Sequence, residues 1–233
     1  MHVWHTRRTL SALLLVALTI ASAGCGDSAP KAVRTAPVGP APDSFRVAFE
    51  TTRGRFVVQV TRALALRGAD RFYDLAAEGF FDESAFFRVV PHFVAQFGVN
   101  NDRTLNEAWD AKTIPDDSVR APNIRGTLVY ASNGKDSRSH QLFVNLTDNK
   151  NLDRQGFSPI GRVIEGMGVV DSLYSGYGEQ PSYHLLSTLG NSYLKRMFPK
   201  VDYIKSARIV PGRQAGSSSP LSQDDEQVKA SSP

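Results

Sequence analysis

The chain has 233 residues, 41% of them apolar, which suits one globular domain with appendages at its ends. Its 27 Lys and Arg against 23 Asp and Glu leave a formal charge of +4, and Arg7 and Arg8 carry two of those charges inside a segment expected to be removed. There is no run of five Lys/Arg, so no nucleic-acid partner is expected, and the five histidines are scattered without metal-ligand spacing, so no metal is expected.

Residues 1–24 read as a secretory signal. Arg7-Arg8 form a charged start, Leu13 to Ile20 an apolar run too short to span a bilayer comfortably, and Ala21-Ser22-Ala23-Gly24 a small-residue cleavage region. The single cysteine, Cys25, follows at once, so no internal disulfide can form. Ser22-Ala23-Gly24-Cys25 resembles a bacterial lipobox, with Ser22 where Leu is more usual. That resemblance implies lipidation of Cys25 and an exported domain anchored to a bacterial membrane, in the periplasm or outside the cell. An ordinary signal peptide with a coincidental Cys is the alternative. Residues 25–43 are rich in Ala and Pro and read as a tether, and the Ser/Gln/acidic residues 212–233 as a disordered tail. The folded domain is expected at 44–211.

Within it, Phe45 to Glu50 and Arg55 to Val60 alternate apolar and polar residues about a turn at Thr51 to Gly54, which predicts a β-hairpin. Leu66, Ala69, Phe72, Tyr73, Ala76 and Ala77 fall at helical spacing, with Gly79 as the stop. Two short strands follow, Ala85 to Val90 and Phe93 to Phe97, with Pro91-His92 as the turn. Each carries one polar residue, Arg88 and Gln96. On spacing alone Arg88 fits either an exposed strand face with a packed stem or a groove where its guanidinium meets a ligand.

Residues 99–124 show little pattern and read as a long loop. Thr127 to Ser132 and His140 to Leu146 read as strands, Gly161 to Glu165 as another, Met167 to Leu173 as a short helix and Tyr203 to Val210 as the last strand. Residues 176–202 look like an insertion with a helical stretch near Ser192 to Met197. His92 and His140 are expected in exposed turn and rim positions. The count predicts a mainly β fold, a closed antiparallel β-barrel of about eight strands with two capping helices, rather than a parallel sheet.

Phe86, Arg88, Val89, Pro91, Phe93, Gln96 and Gly98 together resemble the core motif F-x-R-V-x-P-x-F-x-x-Q-x-G of the cyclophilins, the cyclophilin-type peptidyl-prolyl cis-trans isomerases. Two further blocks match in order. Arg125-Gly126-Thr127-Leu128 through Ala131-Ser132, then His140-Gln141-Leu142-Phe143, is similar to the family's R-G-x-L-x-x-A-N and S-Q-F-F, with Ser132 for Asn and His140 for Ser. Gly161 to Asp171 is similar to G-x-V-x-x-G-M-x-V-V-D. Asn151-Leu152-Asp153 stands where many members have W-L-D, and Phe157 stands nearest to a family His that has no counterpart here.

The resemblance implies an isomerase that needs no cofactor and no nucleophile. Proline-containing polypeptides are its partners, and a monomer is expected. Arg88 would be the catalytic donor to the twisted prolyl nitrogen, and Gln96 would orient it or bond a substrate carbonyl. Phe93, Val94, Phe143, Leu152 and Phe157 would form the proline pocket, with the backbone at Ala131 and Ser132 pairing with the substrate and Gln141 completing the polar rim. Taken singly, Phe93, Phe143 and Leu152 fit plain core equally well. A non-catalytic module that binds proline peptides is the rival reading, kept open by the changes at Asn151 and Phe157. No nucleophile elbow or P-loop is present: Gly134-Lys135 is followed by Asp136.

Overall fold

The computed structural model describes residues 39–211. The signal segment, Cys25, most of the tether and the tail at 212–233 lie outside the described residues.

Strands β1 (Ser44–Thr51) and β2 (Gly54–Thr61) form the hairpin, in a register that sets Phe45 opposite Val60, Val47 opposite Val58 and Phe49 opposite Phe56. Side chains alternate across a strand, so these six share one face, and all six are buried. Phe49 and Phe56 stack as a cross-strand pair with ring centroids 4.7 Å apart.

Helix α1 (Leu66–Ala77) packs on this face and buries Gly68, Ala69, Phe72, Leu75 and Ala76. The predicted stripe is rotated: Leu66 is 44% exposed and Ala77 is exposed, while Leu75 is inside. Gly68 explains the rotation, because a Cβ there would sit 2.8 Å from Ile160 Cγ2, so only a bare backbone lets the helix approach along that line. The helix closes where the Phe80 N–H reaches back to the Leu75 carbonyl at 2.9 Å.

The remaining strands are β3 (Arg88–Val90), β4 (Val94–Phe97), β5 (Thr127–Tyr130), β6 (Leu142–Asn145), β7 (Pro159–Glu165) and β8 (Ile204–Val210). All pairs are antiparallel, in the order β3-β4-β6-β5-β7-β2-β1-β8. The sheet curls into a barrel-like wall around Phe45, Phe49, Phe56, Phe72, Phe81, Phe86 and Phe97. It is not fully closed as expected, because β3 and β8 are edges. The gap between them is stitched just before each strand, by an Ala85–Tyr203 bridge and by Phe86 N–H to Asp202 O at 2.9 Å. The segment Ala85 to Phe87 makes this crossing instead of extending β3, which shortens that strand to three residues.

The helices also exceed the two expected. Residues 99–124 contain α2 (Arg103–Asp110), N-capped by Asp102, whose carboxylate accepts from the Thr104 N–H at 2.8 Å. Short helices α3 (Asn151–Arg154) and α4 (Met167–Asp171) follow. The insertion holds two helices, α5 (Tyr183–Leu189) and α6 (Asn191–Met197), not one. It packs through a small apolar cluster of its own, in which Leu186 and Leu194 meet Ala85, Phe87 and Val99.

Candidate active site

Neighbouring residues on β4, β5 and β6 point to opposite faces of the sheet. Ala95, Leu128, Tyr130, Leu142 and Val144 face the central core, while Val94, Val129 and Phe143 form a second buried cluster with Leu152 of α3. Phe93, Ala131 and Phe157 pack against that second cluster, partly exposed. Phe143 and Phe157 meet edge to face, with centroids 5.9 Å apart. Six residues expected to contact substrate thus stand together on one outward face, separate from the barrel core.

The polar residues follow from the same period of two. Gln96 lies two places beyond Val94 on β4 and so shares its face, and the register sets Arg88 opposite Gln96 and Gln96 opposite Phe143. The Arg88 Nη1 donates to Gln96 Oε1 at 3.3 Å, and Gln96 Nε2 donates to Gln141 Oε1 at 3.0 Å. The guanidinium carbon of Arg88 stands 5.4 Å from the Phe93 ring centroid, a cation–π contact. A line Arg88–Gln96–Gln141 therefore borders the apolar patch. Ser132 lies at the far end, beside Phe157, where both line a cleft of about 330 Å³ with Lys135, Arg138 and Asp116.

Buried amides hold the apolar walls. Asn149 Nδ2 donates to the Phe93 carbonyl at 3.0 Å and to Asn145 Oδ1 at 2.7 Å. Asn145 Nδ2 passes on to Asn123 Oδ1 at 3.1 Å and Thr127 Oγ1 at 2.8 Å. Asn123 Nδ2 in turn donates to Asp153 Oδ1 and to the Phe157 carbonyl, each at 2.8 Å. Every amide hydrogen of the three side chains is used, so one continuous network links the Phe93 and Phe157 backbones.

Other contributors are not legible as site residues in the sequence. His140 is fully buried, not exposed on the rim. Its Nδ1 lies 2.6 Å from the Gly98 carbonyl and its Nε2 lies 2.7 Å from Asp110 Oδ1. Both ring nitrogens are thus engaged by neighbouring oxygens, which fixes the plane of the ring. The expectation failed because Asp110 comes from α2, inside the segment read as loop. His92, by contrast, is an exposed turn residue with a φ of +58°.

The Tyr183 hydroxyl donates to Asp110 Oδ2 at 2.8 Å. Burial alone would raise the Asp110 carboxyl, but hydrogen bonds from His140, Tyr183 and Ser139 and the charge of His140 outweigh it and hold the group below the usual carboxylate range. The Tyr183 phenol is pushed up, first by burial and then by the Asp110 carboxylate. The last newcomer is Glu179, whose Oε1 accepts from Arg88 Nε at 2.8 Å and also from Nη2. Only the acidic residue itself within the insertion could have signalled it.

An antiparallel barrel-like sheet with an apolar patch on its outer face, bordered by an arginine and two glutamines, is a cyclophilin-like architecture. Residues 46–186 match the family model for cyclophilin type peptidyl-prolyl cis-trans isomerase/CLD. Among curated proteins, peptidyl-prolyl cis-trans isomerase A of Dickeya dadantii is 31% identical over 144 residues, covering 59% of this chain and 75% of that one. Peptidyl-prolyl cis-trans isomerase B of Escherichia coli is 28% identical over 135 residues, covering 54% and 82%. A cyclophilin crystal structure from Cryptosporidium parvum superposes with a TM-score of 0.54 at 17% identity, covering 72% of this chain and 99% of that one. The chain belongs to the cyclophilin-type peptidyl-prolyl cis-trans isomerases, enzymes that rotate X–Pro bonds.

Proposed function

We propose that this isomerase acts on proline-containing segments of exported proteins and that Arg88 stabilises the twisted prolyl amide. Rotating an amide costs about 18–20 kcal/mol of lost resonance. As the bond twists, the prolyl nitrogen becomes pyramidal and gains a lone pair, so a donor aimed at it bonds the transition state more strongly than the ground state. Arg88 has the chemistry for this: its charge is permanent and its N–H groups are held in a planar fork. Phe93, Val94, Phe143, Leu152 and Phe157 form the apolar floor for the proline ring. The backbone at Ala131 and Ser132 offers an edge for the extended peptide, and Gln96 and Gln141 keep Arg88 in place.

The observation that carries this reading is the line Arg88–Gln96–Gln141 lying against that floor. Export is supported by the signal-like residues 1–24 and the lipobox-like Cys25.

The test is turnover of a proline peptide by the wild type, Arg88→Ala and Arg88→Lys. Losing one preorganised donor costs about 2.7–4 kcal/mol, roughly 10²–10³ in rate. Arg88→Ala is expected to lose that much in kcat with little change in peptide affinity, and Arg88→Lys nearly as much, since an ammonium cannot reproduce the fork. Full activity in both variants would remove Arg88 from the mechanism. A wild type that binds the peptide without speeding its isomerisation would make the domain a binding module.

A further inference from the structure

The free edge of β3 is met beside the site by the start of the insertion. Val89 and Gly178 form an isolated antiparallel bridge. On either side, the Gly178 N–H donates to Ser175 O and the Gln180 N–H to Tyr177 O, both at 3.0 Å. The Tyr177 ring packs against Tyr174 at 4.9 Å and Phe198 at 5.1 Å. The backbone of residue 179 is therefore pinned next to Arg88 by contacts that do not involve its own side chain.

A guanidinium has five N–H groups. The edge formed by Nε and Nη2 faces Glu179 Oε1, and one N–H of Nη1 faces Gln96. Among the described residues, one N–H on Nη1 and one on Nη2 are left without a hydrogen-bond acceptor. The two acceptors thus grip the group from two sides without using all its donors, which is how a holder is arranged and not how a plug is arranged.

We infer that Glu179 is a positioning residue for Arg88: the insertion lends the active site a carboxylate that fixes the guanidinium plane and leaves two N–H groups for substrate. The inference rests on Arg88 being the donor to the prolyl nitrogen. The Glu179 side chain is 64% exposed against 27% for Arg88, so the pair adds little to stability and its effect falls on the orientation of a long, flexible side chain.

The test measures kcat and KM on a proline peptide for the wild type, Glu179→Ala, Glu179→Gln, Arg88→Ala and the double variant, at enzyme concentrations that resolve the residual rate of Arg88→Ala. Glu179→Ala is expected to lose about 3–10-fold in kcat, between the few-fold worth of an exposed ion pair and the roughly 10²-fold cost of a misplaced group. Its KM should stay within about twofold and its thermal midpoint unchanged. Glu179→Gln, which keeps an acceptor oxygen, should recover part of the loss. In the Arg88→Ala background, Glu179→Ala should have no further effect, because the group it positions is gone. Wild-type turnover in Glu179→Ala beside a crippled Arg88→Ala would overturn the inference and leave the Arg88 reading standing. Faster turnover in Glu179→Ala would make the carboxylate a restraint on catalysis, and an equal loss in both backgrounds would detach it from Arg88; either result overturns the inference. An Arg88→Ala variant with full turnover would overturn the reading beneath it.

Discussion

Adding one methyl group at Gly98 should damage stability and activity together. Gly98 is buried directly after β4, with a φ of +105°, and its carbonyl lies 2.6 Å from His140 Nδ1. A Cβ there would lie 2.4 Å from the His140 carbonyl oxygen and 3.0 Å from Gln141 Cα. Both are backbone atoms, so no side-chain tip can swing aside. Holding alanine at that φ costs about 1–3 kcal/mol. Forcing the neighbouring backbone apart adds about 1–3 kcal/mol, as other overpacked sites do. The sum, about 2–6 kcal/mol, corresponds to a fall of roughly 4–24 °C in Tm for a chain of this size. The displaced segment carries Gln141, whose 3.0 Å bond from Gln96 should stretch, so kcat/KM should fall as well. Gly134 is the control: its φ is +139°, but nothing lies within 4 Å of an added Cβ. Gly134→Ala should bear the backbone term alone, about 1–3 kcal/mol. Thermal and urea unfolding of both variants, with turnover measured beside them, isolates the clash. Equal destabilisation by the two substitutions, or wild-type kcat/KM in Gly98→Ala, would refute the reasoning.

Two further expectations concern pH and anchorage. Asp70, held down by hydrogen bonds from Arg62 and the Ala41 N–H, and Asp110 have depressed folded-state values. The unfolded chain therefore binds more protons in acid, so their stabilisation is complete above the unfolded carboxylate pKa of about 4 and drains away as pH falls below it. Tm should be level from neutral pH to about pH 5 and then drop, and Asp70→Asn with Asp110→Asn should flatten the drop; an unchanged acid slope in the double variant would show that other groups cause it. At the N-terminus, Cys25→Ser should release the protein into the soluble fraction or leave it unprocessed, as membrane fractionation would reveal. An unmodified Cys25 thiol found by mass spectrometry in membrane-extracted protein would count against the anchor.

What the sequence determined by itself is what short-range geometry controls. A strand repeats every two residues, so alternation at Phe45 to Val60 assigns the core face of the first hairpin without further information. The tight turn at Pro91-His92 likewise brings Arg88 opposite Gln96, and the order of motif blocks identifies the family and its mainly β architecture. Tertiary structure alone decided the rest. Residues from β4 and β6 and from α3 converge as the patch of Val94, Phe143 and Leu152 only because the curled sheet stacks them. The burial of His140 depends on Asp110 arriving from α2, and the rotation of α1 on close approach to Ile160. Glu179 meets Arg88 across 91 residues of sequence, and Tyr183 meets Asp110 across 73. Such pairings leave no periodicity in the chain, since side-chain hydrogen bonds depend on where two backbones are carried and not on what lies beside them in sequence.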